Sequence, residues 1–267
     1  MDITLNDGNK IPGIGFGLWK NKDEQECIES ISLALQAGYK HLDSAQAYGN
    51  EQYVPAGIEA AGLKREDVYI TTKIAVTNFT RVEKSFEDSL KNLKTDYVDL
   101  LLLHFPVTIL RHGAWKHLEE IHAAGKAKSI GVSNYTIKHL EHLLKDCKIK
   151  PAVNQVELHV FLQQPELVEF CKQHGIVVEA YSPLAHGHGL DDPVLTEIAK
   201  KHGKTTAQIM LRWCIEVGTV PLPKSVTPER IKQNFEITDF TLDAADMAKI
   251  KELESNLRTC WDPSHIL

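Results

Sequence analysis

The chain has 267 residues, 43% of them hydrophobic, and its 36 acidic and 30 basic side chains leave a net charge of −6. This length and apolar content fit one globular domain with a substantial core, which we expect to span residues 1–267. The negative balance argues against a protein that binds nucleic acid or docks on acidic membranes, because both need a basic surface.

Cysteine usage and the N-terminal residues bear on the compartment. The five cysteines form no CxxC pair, and most lie in helical patterns, where a free thiol behaves as a small buried hydrophobe. Residues 1–5 carry neither the basic nor the apolar region of a signal peptide. No apolar run approaches the roughly 20 residues that span a bilayer. We therefore expect a cytoplasmic protein without membrane association.

The predicted elements begin with a β-hairpin over residues 3–12, where Asp7 and Gly8 form a turn signal between two alternating segments. After it, short apolar runs alternate with helical patterns. We predict strands over residues 14–19, 39–43, 68–73, 98–104, 127–132, 152–156, 176–181 and 219–222. This alternation predicts a (β/α)₈ TIM barrel of the α/β class. The hairpin would close its N-terminal floor, and a tail over residues 254–267 would cross its active-site face.

Unusual polar side chains end four of the predicted strands. Asp43, Lys73, His104 and Tyr181 each follow an apolar run, and Tyr48 shares the loop after Asp43. Barrel enzymes assemble their active sites at these strand ends. Each residue alone has a structural explanation, such as a surface ion pair or a helix cap. Their convergence on one face indicates catalysis.

The residue types indicate proton transfer to a carbonyl. A phenol has a pKa of about 10, so a tyrosine that donates a proton at neutral pH needs a nearby cation to lower that pKa. Lys73 could be the cation, held charged by Asp43, and His104 could hydrogen-bond a carbonyl oxygen. Tyr48 is then the candidate general acid.

A second motif indicates phosphate binding after the last strand. Thr227 is a plausible N-cap and Pro228 suits the first helical position, so a helix begins here, flanked by Lys224 and Arg230. Helix N-termini attract phosphate, and loops after the last barrel strands commonly bind it. The glycines of residues 13–17 do not complete a GxGxxG dinucleotide motif. A nucleotide would therefore bind outside any Rossmann unit.

The chain resembles the aldo-keto reductase family, in order and over nearly its whole length. The segments that carry the resemblance are Gly15-Phe16-Gly17-Leu18-Trp19, Leu42-Asp43-Ser44-Ala45-Gln46-Ala47-Tyr48-Gly49-Asn50-Glu51, Ile70-Thr71-Thr72-Lys73, Asp96-Tyr97-Val98-Asp99-Leu100, Ile130-Gly131-Val132-Ser133-Asn134-Tyr135 and Pro223-Lys224-Ser225-Val226-Thr227-Pro228. They are most similar to compact microbial 2,5-diketo-D-gluconate and methylglyoxal reductases. The resemblance implies NADPH-dependent reduction of aldehydes or ketones by the tetrad Asp43, Tyr48, Lys73 and His104.

The same resemblance implies which residues bind the cofactor. Ser133, Asn134 and Gln155 match the residues that hold the nicotinamide carboxamide, and Tyr181 matches the ring that stacks beneath it. The remaining matches are Ser182 and Leu184 for the pyrophosphate, Lys224, Ser225 and Arg230 for the adenosine 2′-phosphate, Asn234 for the adenine, and Gly17, Leu18 and Gln233 at further cofactor positions. Leu18 replaces a frequent threonine, and Gln233 replaces a residue that is often acidic.

The candidate substrate residues are Trp19, Phe79, Phe105 and Trp261, with a core position as the alternative for Phe79. Ala75 stands where the family often has a bulky aromatic side chain, which predicts a wider pocket. We expect no metal site. His186 and His188 lack the further ligands that zinc needs and more simply belong to a mobile loop.

Two alternatives remain open. Lys73 could be the nucleophile of a Schiff-base aldolase, although its pairing with Asp43 would keep it charged and unreactive. The chain could also be a non-catalytic binding protein on the same fold, a reading that the complete tetrad disfavours. As a reductase, it would act as a monomer on a small aldehyde, dicarbonyl, keto-sugar or quinone.

Overall fold

The computed structural model describes residues 2–266 as an eight-stranded parallel barrel, which confirms the predicted fold class. A short antiparallel hairpin, β1 (Asp2–Thr4) and β2 (Lys10–Pro12), precedes it. The barrel strands are β3 (Phe16–Gly17), β4 (His41–Asp43), β5 (Tyr69–Ile74), β6 (Val98–Leu103), β7 (Ala127–Ser133), β8 (Val153–Glu157), β9 (Val177–Tyr181) and β10 (Val220–Leu222). Each strand pairs in parallel with the next in sequence.

The barrel closes where β3 meets β10. The backbone N–H groups of Gly15 and Gly17 donate to the carbonyl oxygens of Pro221 and Pro223, both at 3.0 Å. A Cβ on Gly15 would lie 2.6 Å from a Leu222 methyl group, so the two segments can approach only because residue 15 is glycine. β3 is shorter than the predicted strand 14–19.

Helices cover the outside of the barrel and fit the predicted alternation. They are α1 (Glu24–Ala37), α2 (Val54–Ala60), α3 (Val82–Asn92), α4 (Arg111–Ala123), α5 (Ile137–Asp146), α6 (Pro165–Gln173), α7 (Pro193–His202), α8 (Thr206–Glu216), α9 (Pro228–Phe235) and α10 (Ala244–Lys251). β6 is buried along its entire length, as expected for a parallel strand with helices on one face and the barrel core on the other. The predicted start of α9 at Pro228 is confirmed.

The hairpin closes the floor of the barrel, as predicted. Ile11 is fully buried and packs in a separate apolar cluster with Leu100, Leu102 and Val153. The Asn9 side chain donates to the Lys128 carbonyl oxygen at 2.8 Å, which fixes the hairpin to the start of β7. The opposite face, at the carboxyl ends of β3–β10, is left free for a site, and we call it the upper face.

The C-terminal tail lies on the upper face. The backbone N–H groups of Ser255 and Leu257 donate to the Phe161 carbonyl oxygen, and the His139 ring donates to that of Ile266. These contacts hold the tail over the loops that follow β7 and β8. Between residues 2 and 266, no helix combines the length and the apolar character required to cross a bilayer.

Candidate active site

A lysine at the end of β5 connects three of the four tetrad residues. Lys73 Nζ donates to both Asp43 carboxylate oxygens at 2.8 and 2.7 Å, to the Ser44 carbonyl oxygen at 2.9 Å and to Tyr48 Oη at 3.1 Å. Asp43 ends β4, and Tyr48 ends a 3₁₀ turn that follows it. Lys73 has no solvent exposure. The phenol therefore lies above a buried ion pair.

The fourth residue, His104, follows β6 directly. Its ring meets the Tyr48 ring edge-on, with 5.7 Å between the centroids. Burial and then the charge of Lys73 lower the pKa of His104 to about 3. The imidazole is therefore neutral at physiological pH and can donate a hydrogen bond through one ring nitrogen without carrying a charge.

The electrostatics of Tyr48 differ from the sequence-based expectation. Burial raises the pKa of the Tyr48 phenol, the charge of Lys73 lowers it, and burial outweighs the lysine, so the pKa lies above its usual value. Lys73 lowers this pKa, as expected, but burial, with the Asp43 charge as a further cause, outweighs the lysine. The raised pKa keeps Tyr48 protonated, which is the form that donates a proton.

The lysine is charged and not a free amine. Burial lowers the pKa of Lys73, but the Asp43 charge and the hydrogen bonds to Asp43 and Tyr48 outweigh burial and raise it. In each of its contacts with oxygen atoms, Lys73 Nζ is the hydrogen-bond donor, as expected of an ammonium group. A nucleophilic amine would need the opposite shift.

Below the tetrad lies a buried polar network that the sequence analysis missed. One amide nitrogen, Gln155 Nε2, donates both to Asp43 Oδ1 at 2.8 Å and to Glu179 Oε2 at 2.9 Å. The other Glu179 oxygen has no hydrogen-bond partner among residues 2–266 and lies 3.8 Å from His41 Nε2. Burial and then the Asp43 charge raise the pKa of Glu179 to about 8. The two carboxyl groups thus share one amide nitrogen, Gln155 Nε2.

A cleft of about 1110 Å³ opens above the tetrad. Its lining includes the tetrad residues Asp43, Tyr48 and His104, with Lys73 buried beneath the tyrosine. Of the expected cofactor residues, those that line the cleft are Gly17, Ser133, Asn134, Gln155, Tyr181, Ser182, Leu184 and Lys224. The structure therefore brings together the catalytic candidates and most of the cofactor candidates.

Hydrogen bonds hold the side chains along one wall of the cleft. Asn134 has a left-handed backbone (φ 65°), and its side-chain nitrogen donates to the His104 carbonyl oxygen and to Ser133 Oγ, both at 3.1 Å. Its side-chain oxygen accepts from Tyr181 Oη at 2.7 Å, which orients the tyrosine ring. Gln155 Oε1 makes no hydrogen bond with a described residue, so the wall offers a free acceptor beside an aromatic ring.

The loop after β9 covers one end of the cleft. Ser182 and His186 have left-handed backbones, and Ser182 Oγ lies 3.1 Å from His186 Nε2. The His186 ring meets the Trp19 indole edge-on across the mouth, whereas His188 packs against Phe161. The two histidines point to different neighbours and do not converge on a common point.

Several expected residues lie outside the cleft lining. Leu18 is fully buried in the core, and Ser225 Oγ accepts from the Thr227 backbone N–H at 3.1 Å. Arg230 and Gln233 are exposed on α9, whereas Asn234 on the same helix is 5% exposed. These α9 residues follow Lys224 in sequence and are not part of the cleft lining.

The candidate substrate residues divide into two groups. Trp19, Phe105 and Trp261 line the cleft, with Trp261 80% exposed at the mouth. Phe79 does not line it and is 3% exposed within the main core cluster. The expectation that Phe79 contacts substrate is therefore not met, because its side chain turns inward from the loop after β5.

The position of Trp261 depends on a buried glutamate that the sequence analysis also missed. Glu157 Oε1 accepts from the Thr259 N–H and hydroxyl groups, both at 2.6 Å, and Oε2 accepts from the Cys260 N–H at 3.2 Å. Burial raises the pKa of Glu157, but hydrogen bonds from His159 and Thr259 outweigh burial and hold it below 4.5. Glu157 thus fixes the tail beside the cleft.

Comparison with known proteins agrees with this arrangement of barrel and cleft. Residues 13–255 match the aldo/keto reductase family. A glyoxal reductase of Bacillus subtilis is 42% identical over 99% of this chain and 97% of its own length. A methylglyoxal reductase, DkgA, of Escherichia coli K12 is 42% identical over 98% of this chain and 96% of its own.

Solved structures give the same result. An aldo-keto reductase from a deep-sea metagenome library superimposes with a TM-score of 0.95 at 39% identity and covers 99% of both chains. A Bombyx mori aldo-keto reductase in complex with NADP gives 0.91 at 34% identity and covers 97% of this chain and 94% of its own. The chain belongs to the aldo/keto reductase family. It is therefore an oxidoreductase that acts on carbonyl groups.

Proposed function

We propose that this protein reduces a small aldehyde or ketone to an alcohol with NADPH, and that Tyr48 is the proton donor. The observation that carries the proposal is the hydrogen-bonded series from Asp43 through Lys73 to Tyr48, which ends at a cleft that His104 also faces. When bound, NADPH supplies the hydride for the carbonyl carbon.

The side chains of this chain would handle the carbonyl oxygen. Tyr48 Oη gives its proton to that oxygen, and the neutral His104 ring donates a hydrogen bond to it. The phenolate that remains lies 3.1 Å from the Lys73 ammonium, which stabilises the negative charge. Asp43 balances the lysine before the proton leaves, and the phenolate formed afterwards adds one negative charge that only the Lys73 ammonium stabilises.

The cleft fits an extended dinucleotide. Tyr181 offers an aromatic face for the nicotinamide, and Ser133, Asn134 and the free Gln155 oxygen offer polar partners for its carboxamide. In this proposal the remaining contacts come from Gly17 and Leu18 near the ribose, Ser182 and Leu184 at the pyrophosphate, Lys224, Ser225 and Arg230 at the 2′-phosphate, and Gln233 and Asn234 at the adenosine. Lys224 at the cleft edge supports the choice of NADPH over NADH.

The two alternative functions, a Schiff-base aldolase and a binding protein, agree less well with the structure. A Schiff-base lysine must reach the substrate as a neutral amine, but Lys73 lies under Tyr48 and donates to Asp43 and Ser44. A binding protein would have no need of a buried ammonium against a phenol. We also propose, from the sequence, that residues 1–267 form one domain that acts as a monomer in the cytoplasm.

The test is NADPH-dependent turnover of methylglyoxal, followed at the nicotinamide absorbance. We expect Tyr48→Phe to lose about 10²- to 10⁴-fold in kcat because the proton donor is gone. Tyr97→Phe is the matched control, since Tyr97 lies at the floor with its ring against Arg65 and Lys128. It should keep full activity. Equal activity of Tyr48→Phe and the parent would refute Tyr48 as the donor, and failure to bind NADPH would refute the cofactor.

A further inference from the structure

The charges along the cleft are unlike those of the whole chain. Although the protein carries a net charge of −6, the described cleft lining contributes the cations Lys20, Arg81 and Lys224 and a single carboxylate, Asp43. That carboxylate is already paired with Lys73. The cleft therefore carries an excess of positive charge that its own residues do not balance, which favours an anionic occupant.

Arg81 lies across the barrel from the residues assigned to the cofactor. It follows β5, whereas Ser182 and Leu184 follow β9, four strands away around an eight-stranded ring. Lys224 follows β10, next to β9. A dinucleotide that runs from Tyr181 to Lys224 would leave Arg81 without a partner. The charge of Arg81 is thus placed for the substrate and not for the cofactor.

A hydrogen-bonded series holds the Arg81 guanidinium in position. Gln46, two residues before Tyr48, accepts through Oε1 from the Ala75 N–H at 2.9 Å and from Asn78 Nδ2 at 2.8 Å. Asn78 Oδ1 in turn accepts from Arg81 Nε at 3.0 Å. Over residues 2–266, the two terminal nitrogens of Arg81 make no hydrogen bond or ion pair. A planar fork with a fixed Nε and two free donors suits a carboxylate or phosphate.

The cleft wall beside Arg81 is formed by residues without charge. Ala75, Val76 and Thr77 form this part of the cleft wall. Lys20, whose ammonium lies 4.3 Å from the centre of the Trp19 ring, belongs to the other side of the cleft, because Trp19 contacts His186 of the loop after β9.

We propose that Arg81, positioned by Asn78 and Gln46, binds an anionic group of the substrate, so that the preferred substrates are aldehydes or ketones that also carry a carboxylate or a phosphate. This inference rests on the proposed carbonyl reduction and narrows its substrate class. Gln46 and Asn78 are positioning residues. Arg81 touches the substrate at a point away from the reacting carbonyl.

The test compares two aldehydes that share one aromatic body and differ in charge. We measure kcat and KM for 4-carboxybenzaldehyde and for its neutral ester, methyl 4-formylbenzoate, with wild type, Arg81→Gln and the control Lys145→Gln on the exposed face of α5. We expect the wild-type KM for the acid to be at least about fivefold lower than for the ester. Arg81→Gln should remove that difference, whereas Lys145→Gln should preserve it.

A second substrate pair identifies the anion. Glyceraldehyde 3-phosphate and glyceraldehyde are compared in the same three proteins, and the larger Arg81-dependent ratio of KM values distinguishes phosphate from carboxylate. Equal KM values for the charged and neutral member of both pairs in wild type would overturn the proposal. So would an Arg81→Gln defect of the same size for the acid and the ester.

A binding measurement separates this proposal from the proposed function. Trp19 and Trp261 both line the cleft, so their fluorescence reports ligand binding without turnover. Quenching by 4-carboxybenzaldehyde that Arg81→Gln weakens, in a protein that reduces neither these aldehydes nor methylglyoxal, would support the anion site and contradict the reductase. Turnover of both aldehydes without a charge preference would support the reductase and contradict the anion site.

Discussion

Within residues 2–266, an ion-pair network lies at each end of the barrel, and the one at the upper face lies at the proposed active site. At the floor, Asp99 accepts from Arg65 at 2.7 Å, from Lys128 at 2.8 Å and from the Ile70 N–H at 2.9 Å. At the upper face, Asp43 accepts from Lys73, whose side chain is fully buried. The Lys128 side chain, by contrast, is 49% exposed. The two ends thus contain the same kind of ion pair, but water reaches the cation Lys128 at the floor and does not reach Lys73 at the upper face.

The two ends differ in how their ionisable groups are buried. At the floor two cations face one carboxylate, and solvent reaches the network. At the upper face Lys73 contacts Asp43 and Tyr48, and Glu179 is linked to Asp43 only through Gln155. Burial raises the pKa of Tyr48, and burial and then the Asp43 charge raise that of Glu179, so both groups hold their protons at neutral pH. Charge pairing alone is common to both ends and explains neither catalysis nor specificity.

The largest effect is expected from a substitution that removes the ion pair at the upper face. Lys73→Met leaves Asp43 buried without its cation, which should lower the free energy of unfolding by about 3–5 kcal/mol. It also removes the ammonium that stabilises the Tyr48 phenolate, so kcat should fall by at least about 100-fold. Chemical denaturation and NADPH-dependent turnover measure the two effects.

Arg65→Met is the matched change at the floor. Arg65 is 17% exposed, and Asp99 keeps Lys128, so we expect a smaller loss of about 1–3 kcal/mol and unchanged kcat. If both variants lost stability equally and kept activity, the two networks would be equivalent and the upper one would be structural only.

The second prediction concerns Glu179 and pH. The pKa of Glu179 is raised from 4.5 to about 8 by burial and then by Asp43, so the folded protein holds a proton there that the unfolded chain releases. The resulting stabilisation is fully present below pH 4.5 and is lost as the pH rises toward about 8. Relative to wild type, Glu179→Gln should therefore gain about 1.4 kcal/mol of unfolding free energy per pH unit across this window.

Urea unfolding of both proteins between pH 4 and 9 measures that gain. His41 is the nearest group that could otherwise compensate, but burial lowers its pKa to about 4, so it is neutral through the window. A difference between the two proteins that stays flat from pH 4 to 9 would mean that Glu179 is ionised in the folded state.

Some residues at the two ends of the barrel could be predicted from the sequence, and others could not. All eight barrel strands and Asp43, Lys73 and His104 could be located, because each of these polar side chains ends an apolar run, and Tyr48 shares the loop after Asp43. Glu179 could not be recognised, since it lies inside such a run. The available signal was period-two alternation, which places Glu179 on the same face of β9 as Tyr181.

Loop residues were harder to predict for a different reason. Arg81 and Asn78 lie in an irregular segment where no periodicity assigns a direction to a side chain, and the same segment turns Phe79 inward. Glu157 could not be assigned because its partner, Thr259, is about a hundred residues away in sequence. Only the folded tail shows why a carboxylate ends β8.

A smaller effect is expected when the carboxylate at the floor is neutralised. Asp99→Asn keeps an oxygen for the Ile70 N–H but removes the charge that Arg65 and Lys128 share, so stability should fall by about 1–3 kcal/mol. Because the floor lies at the opposite end of the barrel from Tyr48, kcat and KM should not change. Denaturation and steady-state kinetics test both statements, and a fall in kcat would show that the ends are coupled through β6.

The smallest effect on stability is expected at Lys128, the most exposed cation of the floor network. Lys128→Gln removes an ammonium that is half in water, so the loss should stay below about 1 kcal/mol and should shrink as salt is added. The Lys73→Met loss should hardly respond to salt, because that pair is shielded from solvent. Unfolding both variants at about 0.05 and 0.5 M NaCl measures this difference in screening. A salt-independent loss for Lys128→Gln would mean that water does not reach the floor network, and the distinction between the two ends would then rest on Tyr48 and Glu179 alone.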